Sequence, residues 1–177
     1  MSWRINPTEN KTGLLVIDAQ ERLLPAIDGG ERIAAKIAVA TALARLFSIP
    51  LIATEQVPEK LGPTVPGIDL GGVTPLHKTT FSAVPAILSD TLPKTLLVCG
   101  VETHICVRQT VYDLRSGGRT VILLGDAVGS RSPLDHTLAL EEMRSDKVLV
   151  TSVEALGWEL AGGANSPHFK AVFKLLK

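Results

Sequence analysis

Leu96-Leu97-Val98-Cys99-Gly100-Val101-Glu102-Thr103-His104-Ile105-Cys106 is the stretch on which the fold turns. Its first four residues are apolar in succession rather than in alternation, the pattern of a strand covered on both faces. A glycine and three polar residues then turn the chain, and Val107, Val111 and Leu114 follow at helical spacing until Gly117-Gly118. Strand, turn and crossover helix make the repeating unit of a parallel sheet. Comparable apolar runs occur at Leu14-Leu15-Val16-Ile17, Leu51-Ile52-Ala53, Val121-Ile122-Leu123-Leu124 and Val148-Leu149-Val150. Between the first two, Ile33, Ile37, Ala40, Ala44 and Phe47 mark a helix that Pro50 ends. Ser132 followed by Pro133 predicts a further helix start, and a shorter helix is expected from Ser152 to Leu160. With Leu76 to Lys78 counted as a short strand, the expectation is an α/β, doubly wound (Rossmann-like) six-stranded parallel sheet with helices on both faces. Residues 1–177 read as a single domain, and 3-2-1-4-5-6 is the common strand order for such a sheet.

Gln56 to Pro75 is rich in Pro and Gly without periodicity and reads as a long surface connection that shapes a binding site. The residues from about 167 to 177 place Phe169, Val172, Phe173 and Leu176 on one helical face, for docking on the core or for an oligomer contact.

Lys plus Arg number 18 and Asp plus Glu 18, so no basic excess exists to neutralise phosphates or hold an anionic membrane. A small-molecule partner is expected, with no nucleic acid and no membrane. The start, Met1-Ser2-Trp3-Arg4-Ile5-Asn6-Pro7, is polar, which together with only two cysteines gives a cytoplasmic expectation.

In an open α/β sheet the ligand crevice lies beyond the carboxyl ends of the strands where the winding reverses. There the first strand ends in Asp18-Ala19-Gln20 and the fourth in Gly100 through Cys106, so Asp18 and Cys106 are expected to meet. With Thr103 as N-cap, Cys106 would fall in the first helical turn, where free N–H groups favour a thiolate. From the residues alone, an equally good reading makes Cys106 one more buried apolar residue. Cys99, inside its strand, reads as packing. Asp126 reads as a hydrogen-bond acceptor in a turn from Gly125 to Ser130, and His136 as lying on a solvated helix face. His77 and Lys78 should point opposite ways on an extended segment, so at most one faces the site.

Leu15-Val16-Ile17-Asp18-Ala19-Gln20, His77-Lys78-Thr79-Thr80-Phe81-Ser82-Ala83, and Gly100 through Cys106 with Val107 and Thr110 resemble three signature segments of the isochorismatase-like cysteine hydrolase superfamily. They stand in that family's order and approximate spacing, and the resemblance reaches from the first strand to about Val150. It implies a catalytic triad of Asp18, Lys78 and Cys106, a role for Lys78 that a lone lysine at a strand end would not suggest. It further implies a cis peptide between Val101 and Glu102, an oxyanion hole at the N–H groups of Glu102 and Cys106, and a homo-oligomer. Gln20, Gln56, Phe81 and His104 are the substrate-binding candidates: Gln20 and Phe81 follow triad members closely, and Gln56 lies past the second strand's exit.

Relatives resembling nicotinamidase carry an Asp-x-His metal motif after the second strand, where this chain reads Thr54-Glu55-Gln56-Val57-Pro58-Glu59-Lys60, so no metal and no cofactor are expected. Glu21-Arg22-Leu23 replaces the common Asn-Asp-Phe after the first strand's Gln, which alters a pocket wall. Members acting on the vinyl ether of isochorismate commonly lack the cysteine. The expected activity is therefore cleavage of a small amide, carbamoyl or related C–N bond through a thioester on Cys106. The alternative is a non-catalytic or redox-sensing scaffold with a reactive thiol. No Gly-x-Gly-x-x-Gly turn follows the first strand, which argues against dinucleotide binding.

Overall fold

The apolar runs become strands because a parallel sheet with helices on both sides gives each of their side chains a buried neighbour. In the computed structural model, which describes residues 5, 11–87 and 92–177, β1 (Thr12–Ile17) is buried along its whole length. It lies between β2 (Leu51–Gln56) and β4 (Thr95–Val101), with Leu14 opposite both Leu51 and Leu97. β3 (Leu76–Lys78), β5 (Thr120–Gly129) and β6 (Leu149–Thr151) complete an all-parallel sheet of order β3-β2-β1-β4-β5-β6. This is the expected doubly wound topology, and its winding reverses between β1 and β4. Except for Ile5, the polar N-terminal stretch lies outside the described residues.

Alternate residues of one strand serve two cores. Leu14 and Val16 pack with Ile37 and Leu43 of α1 (Gly30–Leu46) and with Leu156 of α5 (Val153–Ala161). Leu15 and Ile17 pack with Val111 of α3 (Arg108–Ser116) and Met143 of α4 (Pro133–Ser145). Ser132 caps α4 by accepting from the Asp135 N–H, and Ser152 caps α5 by accepting from Ala155 N–H, as their sequence positions predict. The last helix, α6 (Phe169–Leu176), docks on the first core through Val172, which is fully buried, while Phe173 stays half exposed.

Two connections differ from expectation. Within Gln56 to Pro75, Gln56 closes β2 and Pro58–Leu61 forms one helical turn, α2, so this segment is partly regular. β5 does not end before Asp126 but continues to Gly129 through an irregularity, Val98 pairing with Leu123 while Gly100 pairs with Val128. Asp126 lies in that irregularity, where it accepts from Val153 N–H and pairs with Lys36 at 3.6 Å. Its role as an acceptor stands, but its place is the strand rather than a turn. Among the described residues no helix is long and apolar enough to cross a membrane.

Candidate active site

β1 delivers Asp18 at the rim of the sheet with φ of 51°, a left-handed conformation that Asp tolerates better than most residues. Its backbone N–H donates to Thr54 carbonyl at 3.1 Å, and the Thr54 hydroxyl donates to Asp18 Oδ1 at 2.8 Å. β3 supplies Lys78, whose Nζ stands 2.7 Å from Asp18 Oδ2 with both side chains essentially inaccessible. His77 points the other way and sits exposed, 3.6 Å from Glu55 Oε2, as alternation along a strand requires. The Lys78 ammonium donates to Gln56 Oε1 at 2.5 Å and to the carbonyls of Thr80 and Phe81 at 3.1 and 3.0 Å. These acceptors draw its N–H groups away from the carboxylate, so Asp18 Oδ2 has an ion partner but no well-directed hydrogen bond.

β4 brings the third group. Gly100 has φ of 120°, and a Cβ there would fall 2.0 Å from Ile17 carbonyl oxygen, so only glycine lets β4 press against β1 at this level. The Val101–Glu102 peptide is cis, as the resemblance implied. Thr103 is not the N-cap: Glu102 holds that place, and no side chain caps the turn. Residues Thr103–Val107 form a π-helical turn ahead of α3, with the N–H groups of Ile105 and Val107 both directed to Glu102 carbonyl. Cys106 follows, 6% exposed, its carbonyl accepting from Thr110 Oγ1 at 2.6 Å. The thiol lies close enough to Asp18 and Lys78 for both charges to act on it.

Electrostatics reverse one expectation about the sulfur. Burial, then the Asp18 carboxylate, push the Cys106 thiol up to about 12, against the opposing pull of Lys78. The resting group is thus a thiol rather than the activated thiolate that a helix start suggested. Burial also raises Asp18 above its ordinary 3.8, although Lys78, Thr54 and Cys106 all favour its charged form. A carboxylate so placed holds protons more readily than a free one.

The four substrate-binding candidates separate. Gln20 is fully buried, its amide donating to the carbonyls of Gln56 and Gly62 and accepting from Gln56 N–H, so both of its ends serve the backbone. Gln56 holds Lys78 and donates to Thr79 carbonyl. His104 is half-buried, with Nδ1 at 2.9 Å from Ser130 Oγ. Phe81 leaves its ring more than half exposed. A cleft of about 290 Å³ opens at the edge of β3, between Val57–Glu59 on one side and Thr79, Thr80, Pro85 and Ala86 on the other; Lys78 lines it, but Asp18, Phe81 and Cys106 do not. His136 is not on a solvated face: it is half-buried with Nδ1 at 2.9 Å from Thr103 Oγ1, and burial lowers its pKa. Sequence reading missed Thr54, whose signal was a hydroxyl directly after the apolar run Leu51-Ile52-Ala53. Among the described residues no group of three His, Cys, Asp or Glu side chains is placed to hold a metal ion.

The fold is that of an α/β protein with a doubly wound parallel sheet, and the buried Asp18–Lys78 pair stands at its switch point. The isochorismatase domain family matches residues 12–155. Isochorismatase domain-containing protein 2A of Mus musculus is 37% identical over 93% of this chain and 82% of its own length. Isochorismatase domain-containing protein 2 of Bos taurus is 42% identical over 76% of this chain and 68% of its own. A solved structure described as MAR1 ribonuclease from Caenorhabditis elegans superposes with a TM-score of 0.91 at 38% identity, covering 98% of this chain and 92% of that one. The chain belongs to the isochorismatase-like hydrolase family.

Proposed function

We propose that this protein is a cysteine hydrolase that cleaves a small amide, carbamoyl or related C–N bond through a thioester on Cys106, with Asp18 and Lys78 completing a catalytic triad. The observation that carries the reading is the buried Asp18–Lys78 pair at 2.7 Å, beside a thiol on which both charges act. A buried ion pair rarely repays its desolvation cost through stability alone, so its presence in a family of hydrolases points to chemistry.

As the sulfur attacks the carbonyl carbon, its proton passes to Asp18 Oδ2, the oxygen without a directed hydrogen bond. The C–S bond forms and the carbonyl π pair moves to oxygen, where the N–H groups of Glu102 and Cys106 receive it; loss of one such donor typically costs about 3 kcal/mol of barrier. The tetrahedral intermediate collapses, the C–N bond breaks, and Asp18 returns the proton to the departing amine. Water then adds to the thioester with Asp18 as base, releasing the acid and restoring the thiol. Lys78 keeps the ionised carboxylate in place within a dry site and offsets its charge.

A redox sensor calls for an exposed, low-pKa thiol. Cys106 is buried and its pKa is raised, which favours the hydrolase reading over that alternative. The equal numbers of acidic and basic residues support a small molecule rather than RNA as substrate, whatever the name borne by the Caenorhabditis elegans relative. The test is a panel of small amides, carbamates and ureides, with a structured RNA alongside. Ammonia or amine release should be lost in Cys106→Ala, Asp18→Ala and Lys78→Ala, each checked for folding by circular dichroism. Full activity in Cys106→Ala, or cleavage of RNA alone, removes the proposal.

A further inference from the structure

Three consecutive side chains of the turn that carries Cys106 reach one other segment of the chain. Glu102, 5% exposed, accepts from Arg131 N–H at 2.9 Å and from Arg131 Nε at 3.0 Å. Thr103, fully buried, has its hydroxyl 2.9 Å from His136 Nδ1. His104 has Nδ1 2.9 Å from the hydroxyl of Ser130, itself buried. Ser130, Arg131 and His136 belong to the passage from the end of β5 into the first turns of α4.

That passage is itself fixed from behind. Asp28 N–H donates to Ser130 carbonyl at 3.1 Å, Ser132 caps α4, and Gly129 lies so close to α1 that a Cβ there would fall 2.2 Å from Ile33 Cδ1. The Cys106 turn has weaker internal support. It is a five-residue π-helical stretch with no side-chain cap, and two of its N–H groups share the Glu102 carbonyl. Such a turn is poorly determined by its own hydrogen bonds, so what lies outside sets where its side chains stand. The sulfur stands three residues past Thr103.

We infer that the segment from Ser130 to His136 positions the nucleophile, with His136 acting through the Thr103 hydroxyl as the central one of three ties. His136 is a positioning residue and does not touch the reacting atoms; the inference rests on the reading of Cys106 as nucleophile. Losing the tie lets the turn relax, so the sulfur moves away from Asp18 and Lys78, the two charged groups that face it. A displacement of about 1 Å at a reacting atom costs on the order of 10²-fold in rate.

The test follows iodoacetamide labelling of Cys106 against pH in the full-length protein, with peptide mass spectrometry to separate it from Cys99. In the parent the rate should still be rising at about pH 10, because the thiol is held above the ordinary range near 8.5. In Thr103→Val and His136→Leu the profile should shift down toward the ordinary thiol range, because a relaxed turn exposes the sulfur and burial is the largest cause of its raised pKa, the Asp18 carboxylate the next. Thr103→Ser, which keeps the hydroxyl, and His136→Asn, whose amide can stand in for Nδ1, should restore the parent profile, and Thr103→Val/His136→Leu should shift no further than either single change. Unfolding midpoints of all variants separate this outcome from simple destabilisation. Parent-like profiles in Thr103→Val and His136→Leu overturn the inference and leave the nucleophile reading standing, as does failure of Ser and Asn to rescue. An ordinary thiol profile for Cys106 in the parent overturns both.

Discussion

Lys78 and Asp18 form the most deeply buried ion pair among the described residues, two opposite charges with no access to water. Removing one partner leaves the other buried without compensation. Lys78→Met should therefore cost about 3–5 kcal/mol in urea unfolding, while Asp18→Asn/Lys78→Met should cost clearly less than the sum of the single changes; additive losses would show that the two groups act independently. Cys106 contributes a pH dependence of known sign. Its folded pKa lies above the ordinary 9.0, so the stability it lends is present below pH 9 and is lost as pH climbs toward about 12. The parent should lose up to about 1.4 kcal/mol per pH unit more than Cys106→Ala across that interval, read from urea midpoints at successive pH values. Asp18 and Cys106 were legible as residues because each follows an apolar run at a strand exit. Lys78 was legible only through resemblance, since a polar residue on a three-residue edge strand carries no periodic signal of its own. Gln20 turns its amide to the backbone of Gln56 and Gly62, a direction that its place beside Asp18 in the sequence does not give.

At the scale of elements, the close pairing of β4 with β1 at the sheet's rim depends on Gly100. A methyl group there would meet Ile17 carbonyl at 2.0 Å in a backbone conformation already unsuited to side chains. Gly100→Ala should lose more than about 4 kcal/mol or accumulate as insoluble protein, and near-parental stability would contradict the close approach. The strands and their order were readable because a buried parallel strand is a continuous apolar run, a signal that survives without neighbours. The start of the helix after β4 was misread by one residue and in kind. Thr103 matched the composition of an N-cap, but its hydroxyl is taken by His136, 33 residues further on. Long-range hydrogen bonds of this sort leave no local trace, which is also why His136 read as solvated.

Over the whole molecule, each face of the sheet needs its own cover, and α6 supplies the last part of one of them. Val172→Ala should lower stability by about 2 kcal/mol in thermal or urea unfolding, against no measurable change if α6 merely rested on the surface. Light scattering should give a mass above that of a single chain if the homo-oligomer expected from the resemblance forms; a single-chain mass at micromolar concentration would set that expectation aside. In the proposed mechanism a buried carboxylate draws the proton from a neutral thiol and so lets sulfur bond to carbon. The direct measurement is acid-quenched mass spectrometry during turnover of an active amide. It should show a peptide containing Cys106 heavier by the acyl group, absent in Cys106→Ala; turnover with Cys106 unmodified, or undiminished in Cys106→Ala, would contradict the account.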